Sequence, residues 1–382
     1  MERIKLLFLI ESLSAGGGEK VLVTLLNNID LAKFDVTLCC ISNKGQFNDD
    51  IRSDIKVIYL LSNPDNLNSF EKIFYKIKYY MIYKWLPLKI VYNIFIPKDS
   101  DIEIAFVEGF VTNLLSFSNN KRSRKIAWVH TDLANNHWIS SIYKDLEEES
   151  ISYNKYNNIV GVSDTVCKAF SGIYHLEDKI VKLYNPVDFS YIKKASQEQE
   201  IPLLSKESDI RIVSVGRFVP QKAFERLLRI TYNLLKENYS IELWLIGDGP
   251  LRKEYESYIK ENKLDKKVKL LGFQSNPYAY IRQCDIFVCS SICEGYSTAV
   301  TESLILGVPV ITTECSGMDE LLDNGKYGII TDNSEESLYY GVKRVINNPS
   351  VMNYYKQKAN ERGNSFKIKN TIIPIENFLI GG

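Results

Sequence analysis

The sequence predicts an α/β protein made of two doubly wound domains that face each other across a cleft. Short apolar, β-rich runs alternate with longer helical patterns in both halves of the chain, and a polar stretch at 195–209 separates the halves. Continuous apolar strands joined by crossover helices form parallel sheets that are covered on both faces. At 382 residues with 45% apolar content, the chain is long enough for two hydrophobic cores.

Each half contains its own series of predicted strands. The first half has strands at 5–10, 36–41, 56–61, 102–107, 125–129, 159–162 and 180–183, and a helix from Val21 follows the first of them. The second half has strands at 211–215, 242–246, 268–271, 285–290, 310–313 and 328–331, with helices at 225–237 and 251–262. The predicted domains are therefore 1–195 and 196–365. A helical tail at 366–382, interrupted by Pro374, is expected to pack back on a domain and is assigned to the first.

Composition and charge limit the partners and the compartment. Lysine plus arginine equals aspartate plus glutamate at 47 each, so no global charge favours nucleic acid or an acidic partner. The amino terminus shows no secretion signal, and no run of about 18 uncharged apolar residues indicates a membrane span. The histidines and cysteines lack zinc-ligand spacing. We therefore expect a cytoplasmic, metal-independent protein without a cofactor.

The most informative motif follows the fourth predicted strand of the second half. A loop carries Glu294 and Gly295, and a helix that opens near Ser297 carries Glu302 about a turn and a half further on. Backbone N–H groups in the first turn of a helix lack partners within it, and the helix dipole adds to them, so they suit a diphosphate. The donor-site residues predicted from this motif include Gly295, Tyr296, Ser297, Thr298 and Glu302.

The two carboxylates of this motif suit hydroxyl groups. Glu302 could accept hydrogen bonds from a ribose and Glu294 from a sugar, because vicinal hydroxyls match the two oxygens of a carboxylate. The alternative is a surface-loop glutamate and a glutamate on a helix face, since glutamate is common in first helical turns.

A second motif places two cations five positions apart in a strand-to-helix loop. Arg217 offers a planar fork and Lys222 a point charge, and both suit one diphosphate. A nucleoside diphosphate leaves with negative charge building on its oxygens, so fixed cations would stabilise its departure. The alternative is two solvated residues near a helix start, although cations are unfavourable there.

The candidate motifs share one edge of each predicted sheet, where ligands of doubly wound domains bind. In the first half this edge carries the loop with Gly17 and Gly18, which permits close approach to a substrate and is equally consistent with a flexible connection. It also carries His130, whose neutral imidazole could donate to a sugar hydroxyl or serve as a structural histidine. His137 and His175 are expected to be structural.

The segment 70–98 has a different character. It contains six lysines interleaved with aromatic residues, and after Glu71 it contains no acidic residue. Such a basic, amphipathic segment is typical of a peripheral membrane contact, and an ordinary helix with a solvated lysine face is the alternative. A nucleic-acid surface is disfavoured because no arginine and no recognisable module accompany the lysines.

Together these residues resemble the retaining glycosyltransferases of family 4, a group with the GT-B fold of two Rossmann-like domains. Members of this family build bacterial capsule, O-antigen and other envelope glycans. The resemblance runs over most of the chain and is strongest from Arg211 to about Thr331. It rests on the sequences VGRFVPQKAFERLL, LWLIGDGPLR, VKLLGF, EGYSTAVTESLILGVPVI, GVSDTV and NPVD.

The resemblance implies roles for individual residues. Arg217 and Lys222 would bind the donor diphosphate, Glu302 would bind the ribose, and Glu294 would bind the donor sugar. His130 would lie near the transferred sugar, and His130 and Glu294 are the predicted catalytic residues.

The resemblance also implies how the domains share the work. The first domain would bind the acceptor, with the glycine loop beside the donor phosphates, and the second domain would bind the nucleotide sugar. Transfer would proceed with retention and without metal, the leaving phosphate assisting the incoming hydroxyl. The sequence departs from the family pattern at Lys20, where arginine is frequent, at Ala223, where glycine is usual, and at Tyr296 and Ser297, which replace Phe-Gly.

The expected activity is transfer of a hexose or N-acetylhexosamine from a nucleotide sugar, most simply a UDP-sugar, to a polyprenyl-linked glycan in envelope polysaccharide synthesis. The expected location is cytoplasmic, at the inner face of the cell membrane. A UDP-sugar epimerase or an inverting transferase of the same fold is an alternative. A non-catalytic nucleotide-sugar-binding partner subunit is an alternative from another functional class.

Overall fold

The computed structural model describes residues 2–14, 16–198 and 206–381. The chain divides into two compact units, Met1–Pro186 together with Lys369–Gly382, and Val187–Ile368. The predicted boundary lay at 195–196, and 199–205 of the predicted linker lie outside the described residues.

Unit 1 is built on a seven-stranded parallel sheet with the order β3-β2-β1-β4-β5-β6-β7. Its strands are β1 (Ile4–Ile10), β2 (Phe34–Ser42), β3 (Lys56–Leu61), β4 (Ile102–Ala105), β5 (Arg124–Val129), β6 (Asn158–Gly161) and β7 (Ile180–Lys182). Central strand β1 is buried from Leu6 to Ile10, since helices cover both faces of a doubly wound sheet.

Unit 2 is built on a six-stranded parallel sheet with the order β10-β9-β8-β11-β12-β13. Its strands are β8 (Ile210–Val215), β9 (Ile241–Ile246), β10 (Val268–Gly272), β11 (Ile286–Cys289), β12 (Val310–Thr313) and β13 (Ile329–Thr331). Each strand lies within two residues of its predicted bounds. The predicted class, two doubly wound parallel-sheet halves, is confirmed.

Helices connect these strands. They are α1 (Gly17–Asn28), α2 (Ser69–Tyr80), α3 (Leu88–Phe95), α4 (Phe110–Leu115), α5 (Leu146–Asn154), α6 (Asp164–Tyr174), α7 (Phe189–Ala195), α8 (Phe224–Lys236), α9 (Arg252–Glu261), α10 (Tyr278–Ile281), α11 (Thr298–Leu306), α12 (Met318–Leu322), α13 (Glu335–Ile346), α14 (Pro349–Gly363) and α15 (Lys369–Gly381). A π-helical turn at Met81–Trp85 follows α2, and 3₁₀ turns occur at 48–50, 64–66, 138–142 and 220–222. Helix α1 begins four residues before the position predicted at Val21.

The core of unit 2 shows why these helices form. Along α8, Phe224, Leu227, Leu228 and Leu234 are buried at the spacing of one helix face, and they pack with apolar residues of the sheet. Burying one such side chain stabilises the fold by about 1.5–3 kcal/mol, so the apolar stripe, and not helix propensity, holds α8 on the sheet.

The tail helix α15 belongs to unit 1 and continues through Pro374, so the interruption predicted there is wrong. A proline in a helix removes one N–H from the ladder, but tertiary packing can hold the helix together. Ile372, Ile375 and Leu379 are buried on both sides of the proline. Glu376 accepts hydrogen bonds from the backbone N–H of Asp30 at 2.9 Å and from Lys33 Nζ at 2.8 Å.

Helix α2 forms without burying any side chain. A capping box starts it: Asn68 Oδ1 accepts from the N–H groups of Phe70 and Glu71 at 3.0 Å, and Glu71 Oε2 accepts from the N–H of Asn68 at 2.9 Å. The π-helical turn that follows leads the chain back to the core of unit 1, where Ile82 is fully buried. In the described part of the chain, no helix has the length and apolar character needed to cross a membrane.

Candidate active site

The strand orders place a crevice at one edge of each sheet. Ligands bind doubly wound sheets at the point where successive strands diverge to opposite sides, beyond their carboxyl ends. In unit 1 this point lies between β1 and β4, and in unit 2 between β8 and β11. The loops and helices that follow the strands on either side of these two points contain all the predicted site residues except His130, which follows β5.

The loop after β8 carries the two predicted cations. The aliphatic stem of Lys222 lies over Gly216, where a Cβ atom would be 3.3 Å from the Lys222 side chain. Arg217 is exposed, and its guanidinium makes no hydrogen bond or ion pair with any residue of the described ranges. Of the two cations expected for a diphosphate, Arg217 is thus the one without a protein partner in the described ranges.

Lys222 is paired with the loop after β11. Its Nζ donates to Glu294 Oε1 at 2.6 Å, and Ser291 Oγ donates to the same oxygen at 2.6 Å. The Lys222 and Glu294 side chains are 21% and 10% exposed, so the pair is largely shielded from water. Burial is the largest single influence and lowers the pKa of Lys222, but the charge of Glu294, the hydrogen bond to it and the nearby Cys289 and Cys315 together outweigh burial, so the pKa is raised and the ammonium stays charged. The Lys222–Glu294 ion pair thus joins the loop after β8 to the loop after β11, at the point where these strands diverge.

Further hydrogen bonds fasten these two loops together. Gln221 Nε2 donates to the carbonyl of Cys293 at 2.7 Å, and Ser290 Oγ donates to the carbonyl of Lys222 at 2.8 Å. Ala223, where relatives of the resembled family usually have glycine, has φ 48° and ψ 42°. This left-handed conformation favours glycine, which explains the residue usual at this position.

Helix α11 begins at Thr298, close to the predicted start, with Ser297 as its N-cap. Ser297 Oγ accepts from the N–H of Val300 at 3.4 Å, and the Ser297 carbonyl accepts from the N–H of Thr301 at 3.1 Å. The N–H groups of Thr298 and Ala299 have no acceptor within the described part of the chain, and both residues are partly exposed. The first turn therefore offers two N–H donors at the positive end of a helix dipole.

The backbone beside this helix start is tightly packed. Gly317 has φ 77°, and a Cβ atom there would lie 2.3 Å from the carbonyl oxygen of Gly295 and 3.2 Å from the Cα of Tyr296. Only glycine allows two backbones to approach so closely. The loop before α12 thus packs directly against the backbone of Gly295 and Tyr296.

Glu302 lies inside α11, four residues after its start, and is only 4% exposed. Glu294 is 8% exposed. Glu294 is therefore not the surface-loop residue of the alternative interpretation, whereas Glu302 does lie on a helix, on its buried side. Burying a carboxylate is costly unless it is paired, and Lys222 and Ser291 supply the partners of Glu294.

In unit 1 the glycine loop lies beside His130. A Cβ atom on Gly18 would be 3.2 Å from Val107 and 3.8 Å from the His130 ring, so glycine lets α1 approach the end of β4. Gly17 is the exposed first residue of α1. The prediction that this loop touches the donor phosphates stays a prediction.

The His130 ring is held by one hydrogen bond. Its Nε2 lies 2.8 Å from the carbonyl oxygen of Phe106, and since a carbonyl can only accept, Nε2 carries the proton. In the neutral ring Nδ1 is then an acceptor, so the donor role expected for the neutral imidazole changes to an acceptor role. Burial lowers the pKa of His130, partly opposed by the charge of Glu108 and the bond to Phe106, so the ring is neutral at pH 7.

Three residues near these sites were not predicted. Ser291 donates to Glu294, Glu108 Oε2 accepts from the backbone N–H of His130 at 3.2 Å, and Glu11 accepts from Tyr83 at 3.1 Å. Burial raises the pKa of Glu11, and the bond from Tyr83 opposes this. Glu11 and Glu108 each follow a strand that borders the divergence point, and this placement was the signal available in the sequence.

One acidic pattern of the sequence lies elsewhere. Asp99 and Asp101 form an Asp-x-Asp sequence before β4. Both contact Lys5, through Asp99 Oδ2 to Nζ at 2.8 Å and Asp101 Oδ2 to the backbone N–H at 2.9 Å. They lie at the amino ends of the strands, opposite the candidate site.

Comparison with known proteins identifies the family. A family model described as glycosyl transferases group 1 matches residues 195–362. The N-acetylgalactosamine-N,N'-diacetylbacillosaminyl-diphospho-undecaprenol 4-alpha-N-acetylgalactosaminyltransferase of Campylobacter jejuni is 30% identical over 96% of this chain and 96% of its own length. The chain is a group 1 glycosyltransferase. The lipopolysaccharide core biosynthesis glycosyltransferase LpsD of Rhizobium meliloti is also similar to this glycosyltransferase, at 29% identity over 37% of the chain and 40% of its own length.

Solved structures share the fold of this glycosyltransferase. Anabaena HepE in complex with UDP and glucose superposes with a TM-score of 0.77 at 18% identity, covering all of both chains. Sucrose-phosphate synthase from Thermosynechococcus elongatus gives 0.74 at 15% identity, covering 99% of this chain and 98% of its own. The GT-B fold and the enzyme class predicted from the sequence are thereby confirmed.

Proposed function

We propose that this glycosyltransferase is a retaining enzyme of family 4 that moves a hexose or N-acetylhexosamine from a UDP-sugar to a polyprenyl-diphosphate-linked glycan. The name of the Campylobacter jejuni relative supports both the lipid-linked acceptor and an α-linked N-acetylhexosamine. Anabaena HepE, which shares the fold, binds UDP and UDP-glucose. The product would belong to an envelope polysaccharide.

The single observation that carries the proposal is the arrangement at the divergence point of unit 2. The unpaired Arg217 and the two available N–H groups of α11 are donors suited to the oxygens of a diphosphate. Lys222 has three donor hydrogens, so it can keep its bond to Glu294 and still donate to a phosphate. Cationic and dipolar groups would stabilise the charge that builds on the leaving nucleotide.

The carboxylates would orient the sugar nucleotide. Glu302 would accept hydrogen bonds from ribose hydroxyls, and Glu294, whose Oε1 is held by Lys222 and Ser291, would accept from the donor sugar. His130 would accept a sugar hydroxyl at Nδ1. In a retaining transfer the leaving phosphate would take the proton of the incoming hydroxyl on the same face, so the protein's part is to bind and orient both substrates.

Product analysis with a panel of nucleotide sugars tests this proposal. We expect thermal stabilisation by UDP and one UDP-hexose or UDP-N-acetylhexosamine, because a ligand bound to the native state raises the unfolding temperature by mass action. With a polyprenyl-diphosphate glycan as acceptor, NMR should show an α linkage, and turnover should persist in excess chelator. A β-linked product, epimerised free donor, or donor binding without turnover would each contradict the proposal.

We further propose that α2 and the following turn contact the membrane that holds the lipid-linked acceptor. Four large apolar side chains of α2 are 43–68% exposed at the spacing of one helix face: Phe70, Ile73, Phe74 and Ile77. Lys72 and Lys76 lie on the other side of the helix, and Trp85 is 62% exposed just beyond it. Apolar residues beside lysines and interfacial aromatics match an anionic lipid surface.

Vesicle sedimentation tests this contact. Changing Lys72 and Lys76 to glutamate should weaken binding to vesicles containing phosphatidylglycerol by about thirtyfold or more, since each lysine near an anionic surface contributes about 1 kcal/mol. Lys253→Glu with Lys260→Glu on α9 is the control of equal charge change, and both of its lysines are exposed. Equal loss in the two variants, or no loss in either, would reject the α2 contact.

A further inference from the structure

The end of β4 holds His130 at two points. The carbonyl of Phe106 accepts from the His130 ring at Nε2, at 2.8 Å. Two residues on, Glu108 Oε2 accepts from the backbone N–H of His130 at 3.2 Å. One short segment thus fixes both the ring and the backbone of the same histidine.

The register of the sheet explains why a side chain is needed here. Strands β4 and β5 pair from Ile102 with Arg124 to Ala105 with Ala127, and β4 then ends. The N–H of His130 lies beyond this ladder, and the Glu108 carboxylate supplies an acceptor for it. Gly109 turns the chain at φ 105°, and a Cβ atom there would lie 2.9 Å from Ile142, so the turn that follows Glu108 requires glycine.

The burial of Glu108 is not explained by stability alone. The residue is 2% exposed, and its Oε1 has no hydrogen-bond partner in the described part of the chain. Leaving a buried polar atom unpaired destabilises the fold, and more so when the group is charged. A glutamine could accept the same N–H without burying a charge.

A second buried carboxylate on β4 provides the contrast. Glu103 is fully buried, but Tyr92 donates to its Oε1 at 2.6 Å and Ser118 donates to its Oε2 at 2.6 Å. Both of its oxygens are satisfied, and neither of these two hydrogen bonds involves His130. Glu103 has the environment of a structural residue, and Glu108 does not.

We propose that Glu108 is a positioning residue for His130: it fixes the histidine backbone, and its negative charge tunes the proton affinity of the imidazole. The part that concerns sugar transfer rests on the proposed function, in which His130 meets the donor sugar. The effect on the imidazole itself stands apart from that function.

The charges around His130 leave Glu108 as the group to act on it. Burial lowers the pKa of His130, and the charge of Glu108 raises it against burial. Other charged groups on the neighbouring loops contact residues other than His130. The Glu19 carboxylate lies over Gly16, Asp132 accepts from the N–H groups of Ala134 and Asn135, and Lys20 acts on Asp50.

NMR titration of the imidazoles tests the proposal directly. The chain has three histidines, so His137→Gln and His175→Gln assign the signal of His130. In Glu108→Gln we expect the His130 pKa to fall by about one unit, because a nearby opposite charge has been removed. Glu103→Gln is the control, and it should leave the titration unchanged. An unaltered His130 titration in Glu108→Gln would overturn the inference.

Enzyme kinetics provides the second readout. In Glu108→Gln the acid limb of kcat/KM against pH should move to lower pH, and kcat/KM should fall roughly tenfold because the imidazole is less well placed. Glu108→Asp keeps the charge, should restore the position of the acid limb in part, and serves if the glutamine variant does not fold. If His130→Gln keeps full activity while the titration still shifts in Glu108→Gln, the role of His130 in transfer fails and the positioning stands.

Discussion

Lys222 and Glu294 neutralise each other at the site proposed to receive a negatively charged diphosphate. An unpaired lysine would attract any phosphate. The Lys222–Glu294 pair has a net charge of zero and therefore attracts phosphate much less at long range. The pair also holds Glu294 Oε1 in one direction, together with Ser291. We infer that long-range attraction of the donor depends on Arg217 and the helix dipole, and that the pair supplies orientation.

Replacing Arg217 should separate donor binding from stability. Arg217→Ala should weaken UDP binding about tenfold to a hundredfold, because a hydrogen bond to a charged group contributes about 1.5–3 kcal/mol. The unfolding temperature should hardly change, since the guanidinium has no partner in the described structure. Calorimetric titration with UDP measures the first effect. Arg229→Ala, which breaks an exposed ion pair with Glu335, is the control and should keep UDP affinity.

The paired charges make a prediction about coupling. Lys222→Met and Glu294→Gln should each destabilise unit 2 by about 3 kcal/mol, because each leaves one shielded charge alone. The double variant should lose much less than the sum. Urea unfolding of the four proteins gives the coupling energy. Strictly additive losses would mean that the 2.6 Å contact contributes no stability.

The pH dependence of stability should report on His130. Its pKa is lowered in the folded state, so on acidification the unfolded chain takes up the proton first. The contribution of His130 to stability is therefore present above about pH 6.5 and is lost as the pH falls towards the folded value. Urea midpoints measured from pH 7.5 to 5.5 should fall less steeply in His130→Gln than in the wild type, and parallel curves would refute this.

Among the loops, the contact between the segment before α12 and the Gly295–Tyr296 backbone is the most restrictive. Gly317→Ala should abolish UDP binding, because its methyl group would meet the Gly295 carbonyl at 2.3 Å and displace the loop before α11. Gly325→Ala is the matched control, since its φ is 88° but its nearest atom is 3.7 Å away. Both variants should lose about 1 kcal/mol of stability from backbone strain. Equal UDP affinity in the two would show that the contact does not support the site.

The strands could be predicted because each is an apolar run between turn residues. Their parallel orientation followed from the alternation of strands with helices. The start of α11 followed from its cap at Ser297. Tertiary contacts decided the rest. Nothing local shows that Lys222 would pair with Glu294, 72 positions away, or that the Phe106 carbonyl would fix the tautomer of His130. The helix interruption predicted at Pro374 is wrong for the same reason, because buried residues on both sides of the proline hold α15 together.

Across the two units, the chain leaves unit 1 at Pro186 and returns to it at Lys369. Ile375→Ala in the returning helix should therefore destabilise unit 1 by about 2–5 kcal/mol, because the side chain is fully buried. Ile373→Ala on the same helix is the control. Ile373 is 49% exposed, so this variant should lose less than about 1 kcal/mol of stability. Unfolding followed by tryptophan fluorescence should show a lower first transition in Ile375→Ala alone.

The returning helix also sets an order of events on the ribosome. Residues up to Pro186 emerge before unit 2, but the segment that bonds to Asp30, Lys33 and Arg124 is synthesised only after unit 2. Domains generally fold as units while the chain is being made, with the earliest first. Here unit 2 can fold before unit 1 is complete, because the surface of unit 1 that α15 covers must wait until α15 has been synthesised. Chaperones that guard nascent chains would meet this surface throughout that interval.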